Sequence, residues 1–169
     1  MNCRSKVNLI FLFLAAVGFT SCLKKEEYPV EPVIQWESYS VLADAKGYDS
    51  LSFLKVSYTD GDGDIGLNNN DKLPPYKYNF FVKMFQMKNK VLQEIVFPDT
   101  NLNFNGRIPI LMPSGSNKNI KGDIELMIEI YFARPVLKSD TIAFEIYLMD
   151  RALHKSNIVA SPLLPMRKP

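Results

Sequence analysis

Three aspartates separated by single residues form the part of the sequence best suited to chemistry. Asp60, Asp62 and Asp64 alternate with glycines, and another glycine follows two positions after the last of them. Calcium takes six to eight oxygen ligands, and carboxylates on alternate residues of a glycine-rich loop can curl around one such ion. Glycine permits the positive φ angles that this curling requires. A divalent ion would also remove the repulsion between the three charges, so the spacing predicts a cation site.

The loop departs from an EF-hand at two positions. Counting from Asp60, the sixth residue is Ile65, where an EF-hand has glycine, and the twelfth is Asp71, where it has a bidentate glutamate. Strands rather than helices are also expected on both sides of the loop. We therefore predict a calcium loop in a β framework, with Asp71 and the distant Asp150 as further ligands. Its expected affinity is about 10⁻⁴ to 10⁻³ M, as in extracellular modules.

The elements that must position this loop are strands, because apolar residues recur at every second position after residue 32. Such alternation places every second side chain on one buried face. The predicted strands are Val33–Tyr39, Leu51–Tyr58, Tyr76–Met87, Val91–Phe97, Phe104–Ile110, Asp123–Phe132, Thr141–Met149 and Ile158–Leu163. Seven or eight short strands with turns between them predict an all-β fold, a single antiparallel β-sandwich of the immunoglobulin-like kind over residues 33–169.

The predicted sandwich brings a second charged turn towards the acidic loop. In an immunoglobulin-like fold, the loop after the second strand and the loop before the last strand lie at the same end. Asp150 would then be a ligand for the metal ion. Arg151 would instead supply a salt bridge that makes the metal unnecessary. A solvated Asp-Gly turn that only joins two strands is the third interpretation.

The N-terminal residues have the layout of an export signal. Arg4 and Lys6 form a positive segment, and the apolar run that follows is shorter than the roughly 20 residues that a membrane span needs. The segment ends in Thr-Ser-Cys22, which resembles a lipobox, with cleavage before Cys22 and lipid on its thiol. We therefore predict a signal peptide over residues 1–21 and a lipidated cysteine with a flexible tether over 22–32. An ordinary signal peptide with an incidental cysteine is the alternative.

Charge and residue content exclude several functional classes. Two of the 20 basic residues lie in the predicted signal peptide, so 18 basic residues remain beside 18 acidic ones, and nucleic acid is not an expected partner. The predicted mature chain has no cysteine pair for a disulfide and no His/Cys metal cluster. The one histidine, His154, lies in a predicted turn, where a surface role is expected. We predict that the protein is not an enzyme.

Two short motifs carry a family resemblance. The stretch from Phe144 to Val159, which contains Asp-Arg-Ala and then Ser-Asn, resembles the last hairpin of immunoglobulin-like and fibronectin-III-like domains in bacterial surface proteins. Together with the stretch from Tyr58 to Gly66, it makes the chain similar to uncharacterised Bacteroidota lipoproteins. Lysines and paired acids after Cys22 resemble the surface-export signal of that group. A plain charged spacer on a lipoprotein that faces the periplasm is the alternative. The resemblance implies an address at the outer membrane, facing outwards rather than towards the periplasm, and no activity.

These observations together predict a lipid-anchored cell-envelope lipoprotein. Its expected role is a non-catalytic protein-binding or assembly module, attached to the membrane by palmitate or a similar acyl chain on Cys22. The alternative is a surface glycan-binding lipoprotein of a polysaccharide-uptake system. Glycan binding uses exposed aromatic side chains, for which Trp36, Tyr39 and Tyr48 are the candidates.

Overall fold

Eight strands in two antiparallel sheets dominate the computed structural model, which describes residues 26–99, 101–111 and 119–169. The strands are β1 (Val33–Ala43), β2 (Asp49–Asp60), β3 (Phe80–Lys88), β4 (Val91–Glu94), β5 (Ile120–Ile128), β6 (Thr141–Leu148), β7 (Val159–Ala160) and β8 (Leu164–Pro165). One sheet has the order β1-β2-β5, and the other has β4-β3-β6-β7 with β8 also paired to β6. The predicted all-β, antiparallel sandwich is confirmed.

The strand order explains where the loops meet. An immunoglobulin-like sandwich pairs its first, second and fifth strands in one sheet, and its third and sixth strands lie in the other. The two sheets here have that order, with β4 at one edge of the second sheet. The loop after β2 and the turn after β6 consequently come together at one end of the molecule. There, the backbone N–H of Ala152 donates a hydrogen bond to the carboxylate of Asp64.

Alternation along the strands buries one side of each sheet. In β2, Leu54 and Val56 are fully buried, and in β6 the fully buried side chains include Phe144 and Ile146. These side chains interdigitate with Phe80 of β3 in one hydrophobic cluster between the sheets. The cluster fixes the register of β2, and so it fixes the point at which the chain leaves the sheet at Asp60.

The predicted strand Phe104–Ile110 is not a strand in the structure. Phe104 and Ile108 are buried as predicted, but side chains take the hydrogen bonds that a neighbouring strand would use. The buried Asn79 amide donates to the Ile108 carbonyl and accepts from its N–H, while Asn105 accepts from the N–H of Val82. Only isolated bridges remain, at Gly106 and at residue 109.

Other boundaries also shift. β5 runs from Ile120 to Ile128 and is followed by a 3-10 helix at Ile130–Ala133, which replaces the end of the predicted strand Asp123–Phe132. The last predicted strand is reduced to β7, and β8 begins after its predicted end, beyond Pro162, which has no N–H to donate. Among the described residues, none of the helical segments is long and apolar enough to cross a membrane.

Candidate metal centre

The three alternating aspartates converge at the end of β2. Asp60 is the last residue of the strand and has no exposed surface, whereas Asp62 and Asp64 are half-buried in the loop that follows. One carboxylate oxygen of each residue lies within 4.8 Å of the corresponding oxygens of the other two. The group can therefore present three oxygen ligands to one ion.

Hydrogen bonds engage one oxygen of Asp60 and one of Asp64 and leave Oδ1 of each of the three aspartates without a partner among the described residues. Oδ2 of Asp60 accepts from the backbone N–H of Ile65 at 3.2 Å, and Oδ2 of Asp64 accepts from the N–H of Ala152 at 3.1 Å. Oδ1 of all three aspartates is buried without a hydrogen-bond partner among the described residues. Buried polar atoms nearly always have a partner, so three such atoms side by side need an explanation.

The electrostatics show what the arrangement costs without a cation. Burial, followed by the nearby charges of Asp62 and Asp64, raises the pKa of Asp60 to about 6, although the Ile65 N–H opposes the shift. Burial and the neighbouring carboxylates of Asp150 and Asp62 also raise the pKa of Asp64. Both shifts disfavour the ionised form, as expected for like charges held together. A bound cation would remove this cost and supply the missing partner of each Oδ1.

Asp150, the fourth predicted ligand, is close to this group but has another partner. Its buried carboxylate accepts from the backbone N–H of His154 at 2.8 Å and contacts Nδ1 of the same histidine at 2.9 Å. This hydrogen bond raises the pKa of the imidazole. His154 therefore holds Asp150 in the turn after β6, and the charge of Asp150 acts on the neighbouring Asp64.

Asp71 and Arg151 are placed differently from the three aspartates. Asp71 lies in a turn in which its N–H bonds to the carbonyl of Asn68, and it is outside the converging group. Nη1 of Arg151 donates to the carbonyl of Gly66 at 3.2 Å, and its charge lowers the pKa of Asp64. Among the ion pairs of the described segments, none involves Arg151.

Two glycines allow the loop to approach its surroundings closely. Gly66 has φ +112°, and a Cβ there would lie 2.6 Å from Cα of Ile110. The N–H of Gly61 donates to the carbonyl of Pro29 at 2.7 Å, and a Cβ there would lie 2.6 Å from that oxygen. The sequence predicts positive φ angles at the glycines of this loop, which Gly63 and Gly66 adopt, whereas the contact of Gly61 with residue 29 has no signal in the sequence.

The three aromatic candidates for glycan binding are each engaged elsewhere. Trp36 and Tyr39 are half-buried and pack against the core cluster, where the Tyr39 ring lies 5.8 Å from that of Phe144. The guanidinium carbon of Arg134 lies over the ring of Tyr48, 5.8 Å from the centre of that ring. They do not form one aromatic platform.

The predicted lipid attachment site is outside this part of the chain. Cys22 and the signal peptide lie outside the described residues, so lipidation and export remain predictions. Comparison of the chain with protein-family models, with curated proteins and with solved structures found no significant match.

Proposed function

We propose that this protein is a lipid-anchored, non-catalytic cell-envelope module whose Asp60–Asp64 loop binds calcium. The observation that carries the calcium site is the set of three buried Oδ1 atoms without a partner, one of them on the fully buried Asp60. A cluster of acidic residues alone is common on protein surfaces. Here the fold buries Oδ1 of each aspartate and brings one carboxylate oxygen of each residue within 4.8 Å of the other two, as a cation site requires.

The donor set favours calcium over other divalent ions. The three ligands are all carboxylate oxygens, which suit calcium, magnesium and manganese better than zinc or copper. Magnesium demands near-ideal octahedral geometry and gives up its water reluctantly, whereas calcium tolerates irregular loops. Backbone carbonyls or water would complete the shell. With only three side-chain ligands in the group, we expect an affinity of about 10⁻⁴ to 10⁻³ M.

Isothermal titration of calcium into the mature chain tests the site directly. We expect one site in the wild type and none in the Asp62→Asn variant, because Oδ1 of Asp62 has no hydrogen-bond partner among the described residues whose loss would complicate the result. The matched control is Asp71→Asn, which removes an aspartate outside the group and is expected to bind calcium normally. Equal binding by the wild type and Asp62→Asn would rule out the proposed site.

The anchor needs a separate test. Cells that express the full chain would be labelled with a fatty-acid analogue, and the wild type is expected to incorporate it. A Cys22→Ala variant is expected to lose the label and to leave the membrane fraction. Retention of label by this variant would exclude Cys22 as the lipid carrier without affecting the calcium site.

A protein partner is the better supported ligand class of the two that the sequence suggests. Around β4, the large apolar side chains Val91, Leu92 and Val96 are 60%, 43% and 78% exposed within six residues. Val91 and Leu92 are adjacent in a strand and face opposite sides of the sheet, so this edge offers apolar surface on both sides that a protein partner could cover. The glycan-binding alternative predicts that a glycan array detects binding that Tyr48→Ala weakens. Such a result would replace the protein-binding proposal.

A further inference from the structure

The segment immediately before β1 is in contact with the acidic loop. Gly61 lies between two of the clustered aspartates, and its N–H donates to the carbonyl of Pro29 at 2.7 Å. A Cβ at residue 61 would also collide with the carbonyl oxygen of Tyr28. The backbone of residues 28–29 therefore lies directly against the backbone that joins Asp60 to Asp62.

Apart from Pro32, which is buried next to β1, the other attachments of this segment to the described residues are mostly exposed. The N–H of Tyr28 donates to Oδ1 of Asn119 at 3.1 Å, and the Asn119 amide donates to the carbonyl of Glu26. Lys121 forms an ion pair with Glu26 at 2.8 Å in which both side chains are 64% exposed. An exposed ion pair contributes little because water and salt screen it. The position of Gly61 is consequently a main determinant of whether the segment stays docked.

Gly61 connects the proposed cation site to the N-terminal segment, because it lies between two of the aspartates and bonds to Pro29. A cation that draws Asp60 and Asp62 together fixes the peptide between them, which holds the N–H of Gly61 towards Pro29. Without the cation, the like charges of the two carboxylates favour a more open loop, and the contact with Pro29 weakens. We propose that calcium bound at the Asp60–Asp64 loop docks the N-terminal segment 26–32 on the domain. This proposal rests on the calcium site proposed above.

Docking would change the distance between the domain and its anchor. With the segment docked, four residue steps separate Cys22 from Glu26, and an extended chain of that length spans about 14 Å. With the segment released, eleven steps separate Cys22 from Val33, and the reach becomes about 37 Å. Calcium would therefore hold the acidic-loop end of the sandwich close to the membrane, and its loss would let the domain extend away.

Amide hydrogen exchange of the mature chain, measured by NMR with calcium or with EGTA, tests the coupling. The reporters are the N–H groups of Tyr28 and Gly61, which make the two docking bonds. In millimolar calcium we expect their exchange to slow about tenfold, within the usual range of coupling between sites. In the Asp62→Asn variant, calcium is expected to have no effect on either amide.

Asn119→Ala provides the reciprocal test, because it weakens docking without touching the acidic group. Docking and calcium binding favour each other by the same factor, so a chain that docks less must also bind calcium more weakly, by at most that factor. We expect a several-fold higher calcium dissociation constant for Asn119→Ala and no change for Asn103→Ala, an exposed asparagine in another loop. Calcium binding that leaves Tyr28 exchange unchanged would overturn the coupling and leave the calcium site standing. Absence of calcium binding in the wild type would overturn both.

Discussion

Replacing Asp62 by asparagine is expected to stabilise the protein without calcium and to abolish the stabilisation by calcium. One carboxylate oxygen of Asp62 lies within 4.8 Å of a carboxylate oxygen of Asp60 and of Asp64. Two unit charges at that distance repel by about 3.5 kcal/mol at an effective dielectric constant of about 20. Because Asp62 and Asp64 are half-exposed, solvent reduces the relief from the substitution to about 1–3 kcal/mol.

Calcium should stabilise the wild type by a comparable amount. A ligand that binds only the folded state contributes RT ln(1 + [L]/Kd), which is about 1.4–2.7 kcal/mol at roughly 10 mM calcium for the expected affinity. The asparagine variant loses a ligand and a charge, so its gain should be close to zero. In EGTA the variant should therefore be the more stable protein, and in calcium its advantage should shrink or disappear.

Urea unfolding followed by fluorescence measures both effects. The chain has one tryptophan, and this residue, Trp36, is half-buried against the core, so its emission reports unfolding of the sandwich. Asp71→Asn is the control and should keep the wild-type response to calcium. If Asp62→Asn were less stable than the wild type in EGTA, or if it responded equally to calcium, charge repulsion at the loop would not be the relevant force.

Three further predictions concern the loop and the fold. In calcium-free buffer, the wild type should lose about 1–2 kcal/mol of stability relative to Asp60→Asn as the pH rises from about 4 to about 7. The folded pKa of Asp60 is about 6, above the usual 3.8, so its ionisation over this range opposes folding. A constant difference over that range would contradict it. Gly66→Ala should cost about 2–4 kcal/mol in urea unfolding because of its positive φ and its backbone collision, whereas Gly47→Ala, which has positive φ and open space, should cost about 1 kcal/mol. Phe144→Ala should cost about 3–5 kcal/mol by opening a cavity, and the exposed Leu163→Ala should be near neutral; similar values for the two would contradict the predicted core.

The sequence predicts the sandwich well because burial on one face leaves a period of two in the chain. It fails over residues 104–110 because side chains such as that of Asn79 take part of the hydrogen bonding of that stretch, beside a few backbone bonds at Gly106 and Ile108. Phe104 and Ile108 keep the spacing of buried residues in a strand, and no local feature shows that Asn79 provides the hydrogen bonds of Ile108. The pattern therefore predicts the burial of Phe104 and Ile108 correctly, although Ile110 at the same spacing is 40% exposed, and it predicts the backbone pairing of the stretch wrongly.

The acidic loop shows a similar division. The spacing of Asp60, Asp62 and Asp64 predicts the converging group, because alternate residues of a curled loop face inwards. The same spacing argument extends to Asp71, but a turn at Asn68 intervenes and the residue lies outside the group. The partners of neighbouring charges depend on contacts across the fold, and these contacts are not encoded in local spacing.

The position of the acidic loop explains why a bound cation would contribute to the stability of the fold beyond the loop itself. Backbone bonds join the loop to Pro29, to Ile108 and to Arg151, three segments far apart in the chain. A cross-link between distant segments stabilises a fold by limiting the unfolded chain, and disulfides do this in many secreted domains. Cys22 is the one cysteine of the predicted mature chain, and we assign it to lipid, so this chain cannot form an internal disulfide. A cation stabilises by a different route, because it binds only the folded loop and removes repulsion there, close to the bonds that join the loop to these segments. The structure therefore predicts that calcium removal loosens these three contacts together, while the paired strands of the two sheets remain protected from exchange.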